Sequence, residues 1–373
     1  MSSKEWTEKV EDIRKKMKMV DADAYVITAL DDIAWLLNVR GRDIPFVPVV
    51  RAYVILTNDM ILLYAPPGKF NSTHVMRMHL RSERCYGRLC VRVHDYSNIW
   101  DDLKTLSQAW KKVLLPAPYS YTMGASHAIY NAVPMEKRMP MPSLVMRTKA
   151  QKNQVEREGM RKAHVRDAVA LCDFFAYLES QVSSGSLNET FVAEAVDRFR
   201  RQQELIRGAS FETIAAFGPN GALPHYSPPR RRGTLSAPGV HREGPPLLYE
   251  GLKIDNSSTL VIDSGGQYYD GTTDVSRTFH FGIPTAKQKE AYTRVLSGLL
   301  NLASLVFPAG KTEVADVDVL ARAPLWAAGL DYRHGSGHGV GAFLSVHEGG
   351  SLILRNHPSF LSKRTAYTYY VNL

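Results

Sequence analysis

The sequence LVIDSGGQYYDGTTDVSRT, residues Leu260–Thr278, contains two apolar runs separated by a turn. The first run ends at Asp263, the second begins at Asp274, and the turn-forming residues Tyr269-Asp270-Gly271 lie between them. Apolar runs on both sides of such residues are typical of a β-hairpin. The stretch therefore predicts two antiparallel strands in the second half of the chain.

Asp263 and Asp274 are candidate metal ligands in this hairpin. A turn centred near Tyr268-Tyr269 places the two aspartates opposite each other on one face, with Cβ atoms roughly 5 Å apart. Two carboxylates at that distance repel each other unless cations lie between them. Two divalent ions about 3.5–4 Å apart, bridged by such carboxylates, would form a hydrolytic centre. The alternative is two ordinary hairpin aspartates, one capping a turn and one in solvent.

Length and composition indicate a globular protein of two or three domains. The 373 residues are 45% hydrophobic and 22% charged, which is ordinary for a soluble protein. The net charge of +9 comes from scattered basic residues without a long helical stripe. We therefore expect the charge to aid solubility, with contact to a polyanion as the lesser alternative, and expect no nucleic-acid partner.

The sequence also indicates a compartment. The first residues are polar and charged, so we expect no signal peptide, and no apolar run approaches the roughly 20 residues that span a bilayer. The three cysteines are too few, and odd in number, for a disulfide scaffold. We therefore expect a cytoplasmic protein without membrane contact.

The first domain, predicted over residues 1–148, alternates strand-like and helix-like segments. A helix over Glu5–Met19 precedes a buried strand over Ala24–Ala29. Asp31–Val39 is predicted as a short helix capped by its aspartate, and Arg51–Tyr64 as a hairpin. This pattern predicts an α/β domain without a phosphate loop or a cluster of metal ligands.

The second domain, predicted over residues 149–373, begins with two helices, Gln154–Gln181 and Glu189–Gln203. Helices followed by hairpins indicate an α+β domain in which helices cover a curved antiparallel sheet. The Pro-rich and Arg-rich stretch Ser227–Tyr249 lacks periodicity and is interpreted as a surface loop. On the first helix we predict a buried apolar stripe of Val155, Ala163, Ala168, Leu171, Phe175 and Leu178.

Histidines and glycines are concentrated in Asp331–Gly349, DYRHGSGHGVGAFLSVHEG. Glycine lets the backbone approach a ligand closely, and neutral imidazole is a common metal ligand. The spacing of His334 and His338 resembles a helical zinc pair, but the glycines between them disfavour a helix. We therefore expect one of the two to bind metal and the other to line the site. For His225, in FGPNGALPHY, a structural and an active role both remain open.

VIDSGGQYYDGTTDVSRT and HGSGHGVGAFLSVHEG together resemble the motifs of Xaa-Pro aminopeptidase (aminopeptidase P), of the pita-bread metallopeptidase group. The resemblance extends to TALDDIAWLLNVRG, KNQVEREGMRKAHVRDAVAL and FGPNGALPHY, and it is greatest to the three-domain cytosolic form. Prolidase, creatinase and methionine aminopeptidase match less of the sequence. The resemblance implies an α/β domain like the family's second domain, followed by an α+β pita-bread domain of the creatinase/aminopeptidase type.

The same resemblance implies a dinuclear metal site. Asp263 and Asp274 match the two aspartate ligands of the family, with Asp274 bridging both ions, and His338 matches the histidine ligand. The family usually holds two Mn²⁺ ions, and Zn²⁺ or Co²⁺ are alternatives for this chain.

The resemblance further implies a reaction and its substrate contacts. The family removes the N-terminal residue from peptides with proline in second position, and a metal-bound hydroxide attacks the carbonyl carbon. His225 and His347 match histidines that contact the substrate and stabilise the reacting carbonyl. His334 matches a histidine that lines the proline side of the cleft. Peptides of this kind are the expected partners, and a homodimer is the oligomeric state considered.

Two departures from the family pattern lead us to expect a truncated pita-bread domain. The chain begins at the family's second domain, and no glutamate follows Glu348, where the family places two glutamate ligands. Loss of two carboxylates removes negative charge that balances the ions, so we expect weak metal affinity and little activity. The alternative functions are a non-catalytic module that binds peptides or a partner, and a prolidase-like Xaa-Pro dipeptidase.

Overall fold

The computed structural model describes residues 4–70, 73–83, 85–119, 124–229, 251–307, 314–353 and 369–371. The chain divides into two compact units, one of Ser2–Ile44 and Pro48–Gln151 and one of Pro45–Val47 and Lys152–Leu373. Most of the predicted surface loop Ser227–Tyr249 lies outside the described residues.

Where the structure describes it, the first unit is built on one mixed β-sheet. Its strands are β1 (Ala24–Ile27), β2 (Tyr53–Thr57), β3 (Ile61–Ala65), β4 (Val91–Asp95), β5 (Val113–Pro116) and β6 (Arg138–Met141). Their order in the sheet is β4-β3-β2-β1-β5-β6. The predicted hairpin is the antiparallel pair β2 and β3. β1 pairs with β2 in antiparallel fashion and with β5 in parallel, as expected when helices connect some of the strands.

Helices flank this sheet. They are α1 (Trp6–Met19), α2 (Leu30–Leu36), α3 (His74–His79), α4 (Ile99–Leu106), α5 (His127–Ala132) and α6 (Leu144–Ala150). α1 buries Val10, Ile13 and Met17 completely, because apolar side chains spaced three and four residues apart share one helix face. The predicted aspartate cap of α2 is wrong, since α2 begins after Ala29 and its two aspartates lie in the first turn.

In the residues that the structure describes, the second unit contains four α-helices: α7 (Gln154–Gln181), α8 (Glu189–Arg200), α9 (Ala286–Ala303) and α10 (Val314–Trp326). α7 has the bounds predicted from the sequence. It begins at Gln154 because Asn153 and Glu156 form a reciprocal capping box, each side chain accepting from the other's backbone N–H.

The apolar stripe predicted for α7 is only partly correct. Ala163, Leu171 and Leu178 are buried, but Val155 and Ala168 are exposed. The face that α7 buries also contains Glu156 and Asp167, whose polar side chains are bonded to other groups. The prediction used apolar residues alone, so it omitted these two positions. The predicted face is therefore turned about the helix axis relative to the face that is buried.

The described strands of the second unit form three small sheets. They are β7 (Ile206–Ala209), β8 (Ile214–Phe217), β9 (Thr259–Ser264), β10 (Gly266–Tyr268), β11 (Gly271–Thr272), β12 (Val275–His280), β13 (Gly337–Gly339), β14 (Glu348–Ile353) and β15 (Tyr369–Val371). Their orders are β11-β10-β7, β12-β9-β8 and β14-β13-β15, with antiparallel pairing throughout. α7 and α8 pack against β8 and β9 in one apolar core around Phe174, Val196 and Ile262.

Two further features concern the cysteines and the helices of the described chain. Cys85 and Cys90 form a disulfide, while Cys172 is a free, exposed thiol. A search of the described residues finds no helix with the length and apolar character needed to cross a membrane.

Candidate metal centre

The predicted hairpin is present, but its register differs from the prediction. Asp263 of β9 pairs with Ser276 of β12, and the ladder continues through Tyr268 opposite Gly271. The turn therefore lies at Tyr269 and Asp270, one residue later than predicted, which displaces each pair by two residues. Asp274 lies two residues before Ser276, so strand periodicity keeps both aspartates on one face as diagonal neighbours.

Gly265 allows the two strands of the hairpin to approach closely. A Cβ atom there would lie 2.0 Å from the carbonyl oxygen of Thr273 and 2.3 Å from Ser210 Oγ. The Ser210 hydroxyl donates to that same carbonyl at 2.8 Å, and its backbone N–H donates to Gly265 O at 3.0 Å. Only glycine fits here, and the contact fixes the backbone one residue before Asp274.

Charged residues of α7 and α8 hold the hairpin. Asp167 is fully buried and accepts hydrogen bonds from Arg200 Nε at 2.7 Å and from the Tyr268 hydroxyl at 2.9 Å. Arg166 donates to Asp270 Oδ1 at 2.5 Å, so the turn itself is also attached to α7. The position of the hairpin is therefore specified by charge pairs as well as by the backbone ladder.

The histidine-rich segment is not helical around His334 and His338, as its glycines predicted, and His338 lies in the short strand β13. His338 is the central residue of β13 and pairs with Leu352 of β14 and Tyr370 of β15. His338 is 7% exposed to solvent. Placement in the middle strand of a sheet gives this imidazole a fixed direction.

The hairpin and the histidine segment meet in one cluster. In the described part of the chain, Asp274, His338 and His347 form a group whose potential ligand atoms all lie within 4.8 Å of one another. His338 Nε2 is 3.3 Å from Asp274 Oδ2, and the rings of His338 and His347 are 4.3 Å apart between centroids. Asp263 is not in this group, although its charge is near enough to oppose the lowering of the His338 pKa.

The tautomer of His338 suits a metal ligand. Its Nδ1 lies 2.9 Å from Gly339 O, and a carbonyl can only accept, so Nδ1 carries the hydrogen and Nε2 carries a lone pair. Burial lowers the pKa of His338 below its ordinary value, which keeps the ring neutral. Two acceptors, Nε2 and Asp274 Oδ2, therefore face each other at 3.3 Å. A cation between them fits this arrangement, and imidazole with carboxylate is a donor set that suits Mn²⁺, Zn²⁺ and Co²⁺.

The remaining predicted site histidines lie at different distances from this cluster. His347 belongs to it, and although the residue as a whole is exposed, desolvation of its ring, with smaller effects of His338 and His225, lowers its pKa to about 4. His225 is exposed in a turn, close enough to His347 to affect that pKa. His334 is half-buried and stacks on Tyr332 with ring centroids 4.7 Å apart. The structure therefore gathers Asp274, His338 and His347 and places His225 and His334 outside the group.

Two sequence families match the chain. Residues 1–156 match the Creatinase/Prolidase N-terminal domain, and residues 158–366 match Metallopeptidase family M24. The chain belongs to metallopeptidase family M24. The fold class predicted from the sequence, a creatinase-like α/β domain followed by a pita-bread domain, is confirmed.

Known proteins similar to this M24 chain include several aminopeptidases. Xaa-Pro aminopeptidase 2 of Sus scrofa is 41% identical over 346 residues, which are 92% of this chain and 47% of the relative. The crystal structure of an X-prolyl aminopeptidase from Caenorhabditis elegans, described as a cytosolic enzyme with a di-nuclear active site, superposes with a TM-score of 0.83 at 32% identity. The superposed region covers 99% of this chain and 58% of the Caenorhabditis elegans chain. The chain spans about half the length of the curated relatives it matches.

A more distant similarity concerns the fold alone. An Xaa-Pro dipeptidase structure from Bacillus anthracis has a TM-score of 0.68 at 19% identity and covers 95% of this chain and 87% of that one. Dipeptidases therefore share the M24 architecture with this chain, and the similarity does not distinguish between substrates.

Sequence reasoning missed two pairs of buried charged residues that contact or belong to the histidine segment. Lys152 and Glu348 form an ion pair in which both side chains are almost fully buried, and Glu348 is the neighbour of His347. Asp318 and Arg322 form a second buried pair on α10. The spacing of Asp318 and Arg322, four residues apart in a helical stretch, was a usable signal. Lys152 and Glu348 are 196 residues apart, and no local pattern connects them.

Proposed function

We propose that this protein removes the N-terminal residue from peptides that have proline in second position. The observation that carries the proposal is the cluster of Asp274, His338 and His347, in which a neutral imidazole lone pair faces a carboxylate oxygen at 3.3 Å. Membership of the metallopeptidase family and similarity to aminopeptidases from Sus scrofa and Caenorhabditis elegans support the choice of substrate.

Two divalent ions are the proposed cofactors, with Mn²⁺ as the first choice and Zn²⁺ or Co²⁺ as alternatives. Asp263, Asp274 and His338 would hold them, since these residues supply two carboxylates on one hairpin face and a neutral ring nitrogen. When bound, such ions supply Lewis acidity and lower the pKa of water to about 7. The chain's own contribution is to fix the direction of His338 through the Gly339 carbonyl.

His225 and His347 are proposed to contact the substrate. The low pKa of His347 leaves its ring uncharged near pH 7, so it would stabilise a developing oxyanion by N–H donation and not by positive charge. His334 is proposed to line the side of the cleft that receives proline. A proline amide has no N–H to donate, so this side must recognise the shape of the ring.

The proposal is tested by the release of alanine from Ala-Pro-Ala with and without added Mn²⁺. We expect Mn²⁺-dependent release that Asp274→Asn abolishes. Asp270→Asn is the matched control, because Asp270 is in the same hairpin but bonds to Arg166 outside the cluster. Release from Ala-Ala-Ala at an equal rate would contradict the proline specificity, and equal loss in both variants would contradict the assigned site.

The same assay addresses the other functions considered. Cleavage of Ala-Pro but not of Ala-Pro-Ala would indicate a prolidase-like dipeptidase. Binding of Ala-Pro-Ala without any release would indicate a non-catalytic module.

A cytoplasmic location is proposed because the Caenorhabditis elegans neighbour is described as cytosolic. The disulfide between Cys85 and Cys90 is the feature that opposes it, since structural disulfides are rare in reducing compartments. Cell fractionation with thiol labelling of Cys85 tests the location.

The homodimer considered from the sequence is tested by light scattering of the purified chain.

A further inference from the structure

Arg322 and Asp318 are buried charged residues on α10 that are not members of the metal cluster. Arg322 is 5% exposed and Asp318 is 1% exposed. Arg322 Nε donates to Asp318 Oδ2 at 2.7 Å. Because burial of a charge is unfavourable unless it is paired and hydrogen-bonded, the remaining contacts of this pair are informative.

The other nitrogens of Arg322 bind the segment that leads to the cluster, residues 331–336. Nη1 donates to Asp331 Oδ1 at 3.0 Å and to Tyr332 O at 2.5 Å, and Nη2 donates to His334 O at 2.7 Å. A planar guanidinium presents several donors in a fixed geometry, so these bonds define the position of the backbone between Tyr332 and His334.

Asp318 and Tyr332 complete a closed network. Asp318 Oδ1 accepts a hydrogen bond from Ser336 Oγ at 2.5 Å, and the hydroxyls of Ser336 and Tyr332 are bonded to each other. The guanidinium carbon of Arg322 lies 4.0 Å from the centroid of the Tyr332 ring, whose other neighbour is the His334 ring at 4.7 Å. The Tyr332 ring is therefore stacked between two groups, the Arg322 guanidinium and the His334 imidazole.

The segment needs this support from side chains because its backbone forms no regular secondary structure. Residues 331–336 belong to no helix or strand, and β13 begins only at Gly337. Gly335 and Gly337 flank Ser336 and leave the backbone free to adopt many conformations. His338 follows Ser336 by two residues, so a shift of Ser336 would move the imidazole toward or away from Asp274.

We propose that Arg322 and Asp318 are positioning residues that set the imidazoles of His334 and His338 for metal and substrate binding. The proposal rests on the proposed function for its consequence, and on the contacts of α10 for its geometry. Partners that orient a ligand without touching the metal typically change metal affinity 10–100-fold when removed, which is about the effect expected here.

The first test measures Mn²⁺ affinity of the purified chain by titration calorimetry. Arg322→Met is expected to weaken binding roughly 10–100-fold. Arg322→Lys keeps a charge beside Asp318 but cannot bond two carbonyls and a carboxylate in one plane, so a loss on the order of tenfold is expected. Arg294→Met is the matched control, since Arg294 joins α9 to the Pro324 carbonyl of α10 at 2.9 Å without contacting residues 331–336. A folded Arg322→Lys variant with unchanged Mn²⁺ affinity would overturn the proposal.

The second test needs no metal and separates this proposal from the proposed function. Nitrogen NMR of ¹⁵N-histidine reports which ring nitrogen carries hydrogen, with signals assigned through His334→Asn and His338→Asn variants. In the unmodified chain, the rings of His334 and His338 each place Nδ1 2.9 Å from the carbonyl oxygen of the next residue, which fixes the Nδ1–H tautomer. We expect Arg322→Lys and Asp318→Asn to give mixed tautomers while Arg294→Met does not.

The two tests distinguish the ways in which the proposals can fail. Mixed tautomers in a protein that binds no Mn²⁺ would support the positioning role and contradict the metal centre. Unchanged tautomers in both α10 variants would contradict the positioning role, whether or not Mn²⁺ binds.

Discussion

The hairpin of β9 and β12 and the histidine segment of residues 331–348 both supply residues to the cluster, but they are held in different ways. β9 and β12 form six consecutive register pairs, so most of the hairpin is fixed by its own backbone ladder. β13 is only three residues long, and the six residues before it are held by side chains of α10. A ladder is encoded locally by alternation and turn residues, whereas support by a distant helix depends on the tertiary structure.

The first way to test this comparison is to remove one proposed ligand from each region. Asp274→Asn and His338→Gln are each expected to weaken Mn²⁺ binding on the order of a thousandfold, because the two groups converge on one site. The double variant should lose little more than either single variant, since residues that act as a unit are not additive. Additive losses in a calorimetric cycle would show that the two regions do not share an ion.

Loss of the buried ion pair beneath the hairpin should have the next largest effect. Arg200→Met leaves the carboxylate of Asp167 buried without its partner, so we expect the free energy of unfolding to fall by about 3 kcal/mol or more. Urea denaturation measures the change. Arg198→Met, two residues away on the exposed face of α8, should lower stability by less than about 1 kcal/mol. Equal effects of the two variants would refute the role of the buried pair.

The ion pair of Lys152 and Glu348 tests the support on the histidine side. Lys152→Met alone should destabilise the second unit by about 3 kcal/mol, because Glu348 stays buried with its charge. Lys152→Met combined with Glu348→Leu should recover at least half of that loss, since an apolar pair needs no compensation. A double variant less stable than Lys152→Met would mean that Glu348 is held chiefly by other groups.

The smallest effect is expected at the turn of the hairpin. Arg166 and Asp270 are partly exposed, so Arg166→Gln should lower the free energy of unfolding by only about 0.5 kcal/mol. The difference should shrink as salt is raised from low to high concentration. A loss above about 2 kcal/mol would show that the turn, and not the ladder, holds the hairpin in place.

Part of the fold and site could be predicted from the sequence because the signals were local. The bounds of α7 follow from the capping residues Asn153 and Glu156 and from the long helical pattern. The non-helical conformation of His338 follows from its glycine neighbours. The placement of two aspartates on one hairpin face also follows from strand periodicity, even with the turn placed one residue early.

Other features could not be predicted because they depend on contacts between distant residues. The buried face of α7 includes Asp167, which is acceptable in the core only because Arg200 and Tyr268 bind it. The disulfide of Cys85 and Cys90 is a different case, because it joins residues only five positions apart and the cysteine count alone gave no sign of it.

The sequence by itself determined the family, the two domain types and the kinds of residue available for the site. Motif residues and periodicity are local properties, and they survive without knowledge of the packing. Only the tertiary structure decided which of those residues meet: Asp274, His338 and His347 converge, and Arg322 binds the segment that precedes His338. The physical reason is that side-chain distances across the fold are set by packing and buried charge pairs, which no single stretch of sequence contains.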